Sequence, residues 1–140
     1  MWLIYAILSA VTAALVAIFG KLGVKDVDPT LATTIRSVIM AAFLVAVALA
    51  LNKFEGFSLG ALSGRAWIFI MLAGVAGALS WLFYFIALKS GAASSVVAID
   101  RLSVVFVILL AALFLGEALT WQTMLGGVLI VAGAILVTLK

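Results

Sequence analysis

VVAIDRLSVVF, residues 96–106, sets Asp100 and Arg101 side by side in an otherwise apolar run. Residues 102–116 beyond the pair are uncharged and give only 15 helical positions, about 22 Å, short of the ~30 Å hydrocarbon core of a bilayer. A helix crossing a membrane here must therefore include both charges. Counted from the 93–95 region, where a serine is available as a cap, Asp100 lies about 8 to 10 Å below the helix start, inside the apolar slab or at its edge.

The rest of the chain makes a membrane the natural setting. Of the 140 residues, 69% are hydrophobic and 9% charged, too few polar side chains to cover a water-soluble domain. Five apolar runs of crossing length are legible, at about residues 2–20, 31–51, 66–88, 93–115 and 121–139, and short polar connectors leave no room for a soluble domain. The expected fold is all-α, a polytopic membrane protein with five transmembrane helices forming a single domain over residues 1–140. The first run lacks a basic leading segment and exceeds the ~7 to 15 apolar residues of a signal peptide, so it reads as a permanent helix.

Without cysteine or histidine, disulfides, haem, the common transition-metal sites and Cys- or Ser/His-based nucleophilic chemistry are removed together. Of the five carboxylates, Asp26, Asp28, Glu55 and Glu117 fall in connectors or at span ends. The reading is therefore a non-enzyme, with no catalytic residue, cofactor or metal site. The net charge of +3 comes from basic residues scattered at membrane edges, which argues against a nucleic-acid partner.

Trp2, Trp67 and Trp121 begin the first, third and fifth spans and so belong to one face, at the headgroup level indoles favour. Lys53 and Arg65 accompany that face. Lys21, Lys25, Lys89 and Lys140 lie at the other, with Arg36 and Arg101 just inside it. The excess places the carboxyl terminus in the cytoplasm of an inner (plasma) membrane. The connector 52–65 carries Phe54, Phe57, Leu59 and Leu62 among Gly and Ser and is expected along the interface. Pro29 suits the first position of the second helix.

Adjacent helical residues point about 100° apart, so Asp100 and Arg101 cannot satisfy each other. Arg101 can snorkel to the headgroups. Arg36 starts from the same face at matching depth, and the expectation is an interhelical Arg36–Asp100 ion pair, structural or engaged in solute handling. Polar residues recur at helical spacing: Tyr5, Ser9 and Thr12; Thr33, Arg36, Ser37 and Met40; Gly77, Trp81 and Tyr84; Asp100 and Ser103. Such stripes face a bundle interior or a wet cavity, or merely cement helix contacts. Trp81 and Tyr84 form either a second interfacial belt or an aromatic wall for a partly apolar solute. The candidate substrate-binding residues are Arg36, Trp81, Tyr84, Asp100, Ser103 and Thr12. Gly126, Gly127 and Gly133 assign the fifth span to helix packing or dimerisation.

The stretches IFGKLG (18–23), DPT (28–30), TTIRS (33–37), SWLFYFIALK (80–89), IDRLSVVF (99–106), FLGE (114–117) and GGVLIVAG (126–133) resemble the EamA-type branch of the drug/metabolite transporter superfamily over nearly the whole chain. That resemblance implies half of a ten-helix inverted-repeat transporter, with four helices around a cavity near the midplane, the fifth peripheral, and a homodimer, plausibly antiparallel, as the working form. Relatives carry prolines around the turn before the fourth span, where this chain has Ala92 and Ala98. The first span also lacks the carboxylate that the small multidrug-resistance branch uses for proton coupling. The functional expectation is a secondary transporter subunit that moves a small metabolite, an amino acid or amphipathic solute, by alternating access. The alternative is a non-transporting membrane scaffold or an accessory subunit of a lipid-linked-sugar flippase.

Overall fold

The computed structural model describes every residue except Leu59, Ala61 and Lys140. Leu59 in the interfacial connector and Lys140 in the basic count therefore lie outside the described residues. No strand occurs among the described residues, and five stretches are long and apolar enough to cross a membrane: Trp2–Gly23, Pro29–Ala50, Gly64–Ser90, Ala93–Leu115 and Trp121–Thr138. The first three are α1 to α3. The fourth divides into α4 (Ala93–Asp100), α5 (Ser103–Leu110) and a π-helical turn (Ala111–Leu115), and the last is α6. Their outward side chains are overwhelmingly apolar and exposed, Phe43 at 67% and Leu136 at 69% for example, as lipid-facing helices require.

Helix boundaries follow from local chemistry. Asp28 sits extended before Pro29, as a residue preceding proline prefers, and its carboxylate accepts from Thr30 N–H at 2.9 Å and Leu31 N–H at 3.1 Å. The DPT stretch is thus a helix start, with proline where no N–H is needed. At the other end of α2, Asn52 adopts φ 52°, Lys53 N–H donates to Ala48 C=O at 2.9 Å, and Asn52 N–H donates to Leu49 C=O at 3.0 Å, the paired bonds of a Schellman stop. Ser63 Oγ accepts from Ala66 N–H at 3.2 Å where α3 begins, and Thr120 Oγ1 accepts from Thr123 N–H at 3.2 Å ahead of α6. The residue flanking α4 is Ala92, without a side-chain cap; the serine cap expected for this helix is not formed.

The fourth span is not a uniform helix. Leu102 N–H donates to Ile99 C=O (2.9 Å), Val104 to Arg101 (3.1 Å) and Val105 to Leu102 (2.9 Å), three-residue steps between the ordinary four-residue bonds Arg101 to Val97 and Phe106 to Leu102. The ψ values of −12° at Arg101 and −18° at Leu102 are near the 3₁₀ range. No proline is involved; the break falls on the Asp-Arg pair itself. Further along, the backbone widens into the π turn, and Gly116 stops it at φ 68° with its N–H bonded to Ala111 C=O. A side chain at that positive φ would be strained, which is why glycine ends the span.

The chain forms two compact units, Met1–Lys21 with Ser90–Lys140, and Leu22–Lys89. In the first, α6 packs along α4 and α5. The buried residues of this unit are small: Ala17, Gly20, Ala111, Gly127 and Ala134. Lys21 Nζ donates to Gly91 C=O at 2.8 Å, tying the end of α1 to the turn before α4. In the second unit Val24, Pro29, Thr33, Phe85 and Leu88 are buried, and Lys89 Nζ donates to Val27 C=O at 2.9 Å. That bond joins the end of α3 to the connector leading into α2. In the connector after α2, Phe54 and Phe57 make an edge contact at 6.5 Å and stay about half exposed.

The glycines of α6 separate by face. A Cβ on Gly127 would meet Ile108 Cδ1 at 3.7 Å, whereas one on Gly126 or Gly133 would meet nothing within 4 Å. Gly127→Leu should therefore cost about 1–3 kcal/mol through overpacking. Gly133→Leu should leave monomer stability within about 0.5 kcal/mol. Reversible unfolding in mixed micelles measures both.

Candidate functional site

The second unit brings three of the expected residues together. Arg36, on α2, is seven positions beyond Pro29; Trp81, on α3, is eight before Lys89. Both are about 10 to 12 Å along their helices from the end that the Lys89–Val27 bond ties. The guanidinium carbon of Arg36 lies 3.7 Å from the centroid of the Trp81 ring and 5.5 Å from that of Phe85. Such cation–π contacts strengthen as water is withdrawn, to about 2 kcal/mol or more.

The aromatic residues support one another. Trp81 meets Tyr84 edge-on, with centroids 5.4 Å apart and planes at 81°, and Phe85 at 6.1 Å and 66°; Tyr84 and Phe85 are 6.2 Å apart. Phe85 is buried, while Arg36, Trp81 and Tyr84 are half-buried. The cluster therefore has a closed back formed by Phe85 and a more open front formed by the other three. Phe85 was absent from the expected set, although it is four residues after Trp81 and so on the same helix face.

Nearby hydroxyls are already engaged within α2. Thr33 Oγ1 donates to Pro29 C=O at 2.7 Å, Thr34 Oγ1 to Thr30 C=O at 2.8 Å, and Ser37 Oγ to Thr33 C=O at 2.8 Å. These bonds let a polar side chain sit in an apolar helix without an interhelical partner. They leave Arg36 as the one charged side chain of this cluster.

Asp100, Ser103 and Thr12 fall in the other unit. Asp100 is half-buried and closes α4 where the 3₁₀ step begins; Arg101 and Ser103 beside it are exposed. No ion pair joins Asp100 to Arg101 among the described residues, as the angle between neighbouring helical positions dictates. Thr12 Oγ1 donates to Leu8 C=O at 2.9 Å and Ser9 C=O at 3.0 Å within α1.

An apolar groove of about 410 Å³ runs between α5 and α6, lined among others by Val105, Ile108, Met124, Val131 and Ile135, with Gly127 in its wall. Apart from Thr123 it offers almost no polar group. Such a surface accepts hydrocarbon but cannot orient a polar solute. The Arg36–Trp81 cluster differs in having both an apolar wall and a charged donor.

The resemblance carried by the quoted motifs is borne out by comparison with known proteins. The EamA-like transporter family matches residues 1–139. An uncharacterized transporter in the cobO 3′ region of Sinorhizobium sp is 42% identical over 135 residues, covering 96% of this chain and 94% of that protein. No solved structure matches the chain. With its five helices of crossing length and a family match over almost all its residues, this multi-pass membrane protein belongs to the EamA-like transporter family.

Proposed function

We propose that the chain is a non-enzymatic secondary transporter subunit of an inner (plasma) membrane, moving a small amphipathic metabolite such as an amino acid by alternating access. The observation that carries this reading is the Arg36 guanidinium held 3.7 Å over Trp81 on a membrane-spanning pair of helices. A charge kept at that depth is costly, a few kcal/mol on insertion scales, and such residues mark solute or ion paths. By family likeness the working form is a homodimer, plausibly antiparallel, with the solute near the midplane, and the carboxyl terminus on the cytoplasmic side.

In this proposal Asp100 has two roles. Seven residues separate it from the start of α4, as seven separate Arg36 from the start of α2, and this equal spacing supports a pairing of the two charges in a stage of the transport cycle other than the one in which Arg36 stacks on Trp81 with its N–H edge unused. Asp100 is also the carboxylate placed within a span, and therefore the group that carries a coupled proton. Its position at the 3₁₀ step of the fourth span supports that role, since irregular turns inside helices occur at functional hinges.

Two measurements test these roles. Asp100→Asn in proteoliposomes should abolish uptake driven by a pH gradient while leaving solute exchange in place; undiminished pH-driven uptake would remove the coupling role. Arg36→Asp and Asp100→Arg should each reduce folded, active protein to near background, and the double reversal should restore it to within a few-fold of the parent. Absence of rescue would count against the pair.

A further inference from the structure

We propose that the Arg36–Trp81 stack is a carboxylate receptor, selecting solutes that join one planar carboxylate to an apolar body. The inference rests on the transport reading above and deepens it by naming the chemical class that this site takes.

The orientation of the guanidinium carries the argument. If a nitrogen pointed down at the indole, a C–N bond of about 1.3 Å plus a van der Waals contact of about 3.5 Å would hold the guanidinium carbon about 4.8 Å from the ring. The observed 3.7 Å to the centroid requires the group to lie flat. A flat guanidinium spends its face on the indole and none of its N–H donors, which radiate in the plane, parallel to the ring. Trp81 thus supports the cation and leaves its hydrogen-bonding edge unused.

Among the described residues of the Leu22–Lys89 unit no carboxylate or carbonyl takes up that edge. Asp28 is occupied in capping α2, and the hydroxyls of Thr33 and Ser37 donate to their own helix. No buried side-chain nitrogen is left without a partner among the described residues, so the unused donors of half-buried Arg36 are not sealed against carbon. A planar fork of paired donors matches the two oxygens of a carboxylate. Tyr84 stands edge-on to the indole, 5.4 Å away with planes at 81°, and adds an aromatic group beside the stack for the rest of the solute. A dianionic phosphate fits less well, because one guanidinium on an apolar wall offsets only one of its charges and desolvation of the second is unmet.

The test uses the full-length protein in lipid nanodiscs and measures equilibrium binding of radiolabelled phenylacetate, with phenylacetamide, phenethylamine and phenylalanine as competitors. Phenylacetamide keeps the shape of phenylacetate and removes the charge. The expected result is binding of phenylacetate about ten- to hundredfold tighter than of the amide, the range for hydrogen bonds to a charged group, with phenethylamine excluded. Phenylalanine competing as well as phenylacetate identifies zwitterionic amino acids as acceptable; failure of phenylalanine alone restricts the class to simple acids. Arg36→Gln should bring the acid and the amide to equal affinity. Arg36→Lys should recover only part of the preference, since an ammonium has no fork.

Equal binding of acid and amide by the parent protein overturns the proposal, and this comparison needs no variant to fold. Acid-selective binding with no flux in proteoliposomes would remove the transport reading and leave the receptor standing. Flux that ignores both solute charge and Arg36→Gln would do the reverse.

Discussion

Helices in lipid have little to gain by hiding leucine from their surroundings, because the surroundings are as apolar as leucine is. Contact must come from close approach or from polar groups that the bilayer cannot satisfy. Both are visible here. In the Met1–Lys21 and Ser90–Lys140 unit the buried positions are alanine and glycine, where backbones come near. In the Leu22–Lys89 unit contact between α2 and α3 runs through a guanidinium on an indole. The lysines at the helix ends reach loop carbonyls and so tie connectors to spans.

The second constraint is that each backbone N–H and C=O must be answered within the span. It explains why the boundaries are so heavily capped by Asp28, Asn52, Ser63 and Thr120. It also explains why serine and threonine inside spans turn back on their own helices. Against that background Arg36, held by aromatic faces and not by a carboxylate of its own unit among the described residues, is the exception.

Much of this architecture was legible beforehand. Hydropathy located every crossing to within a few residues, and Pro29 announced the start of α2 through its fixed geometry, while the cap that Asp28 supplies was seen only in the structure. The pairing of Trp81 with Tyr84 was also readable from their spacing. Arg36 was recognised as a buried charge in search of a partner, but an aromatic partner leaves no signature in charge arithmetic, and Phe85 looked like one more apolar residue. The tightened turn at Arg101 and Leu102 was hidden because the usual warning, proline, is missing; an acidic-basic pair does not by itself forecast a change of winding. The π turn at Ala111–Leu115 was equally silent, being written in residues that suit any helix.

Those two irregularities act in opposite senses. A 3₁₀ step advances each side chain by about 120° where an α-helix advances it by about 100°, so the stretch after Leu102 is overwound relative to α4. The π turn is underwound and gives back part of that rotation before Gly116. The fourth crossing therefore carries a central segment, Ser103–Leu110, rotated out of phase with the turns above it, while the far end is returned toward the original azimuth. Two opposite departures from α pitch thus set the azimuth of Ser103–Leu110 apart from that of the turns on either side.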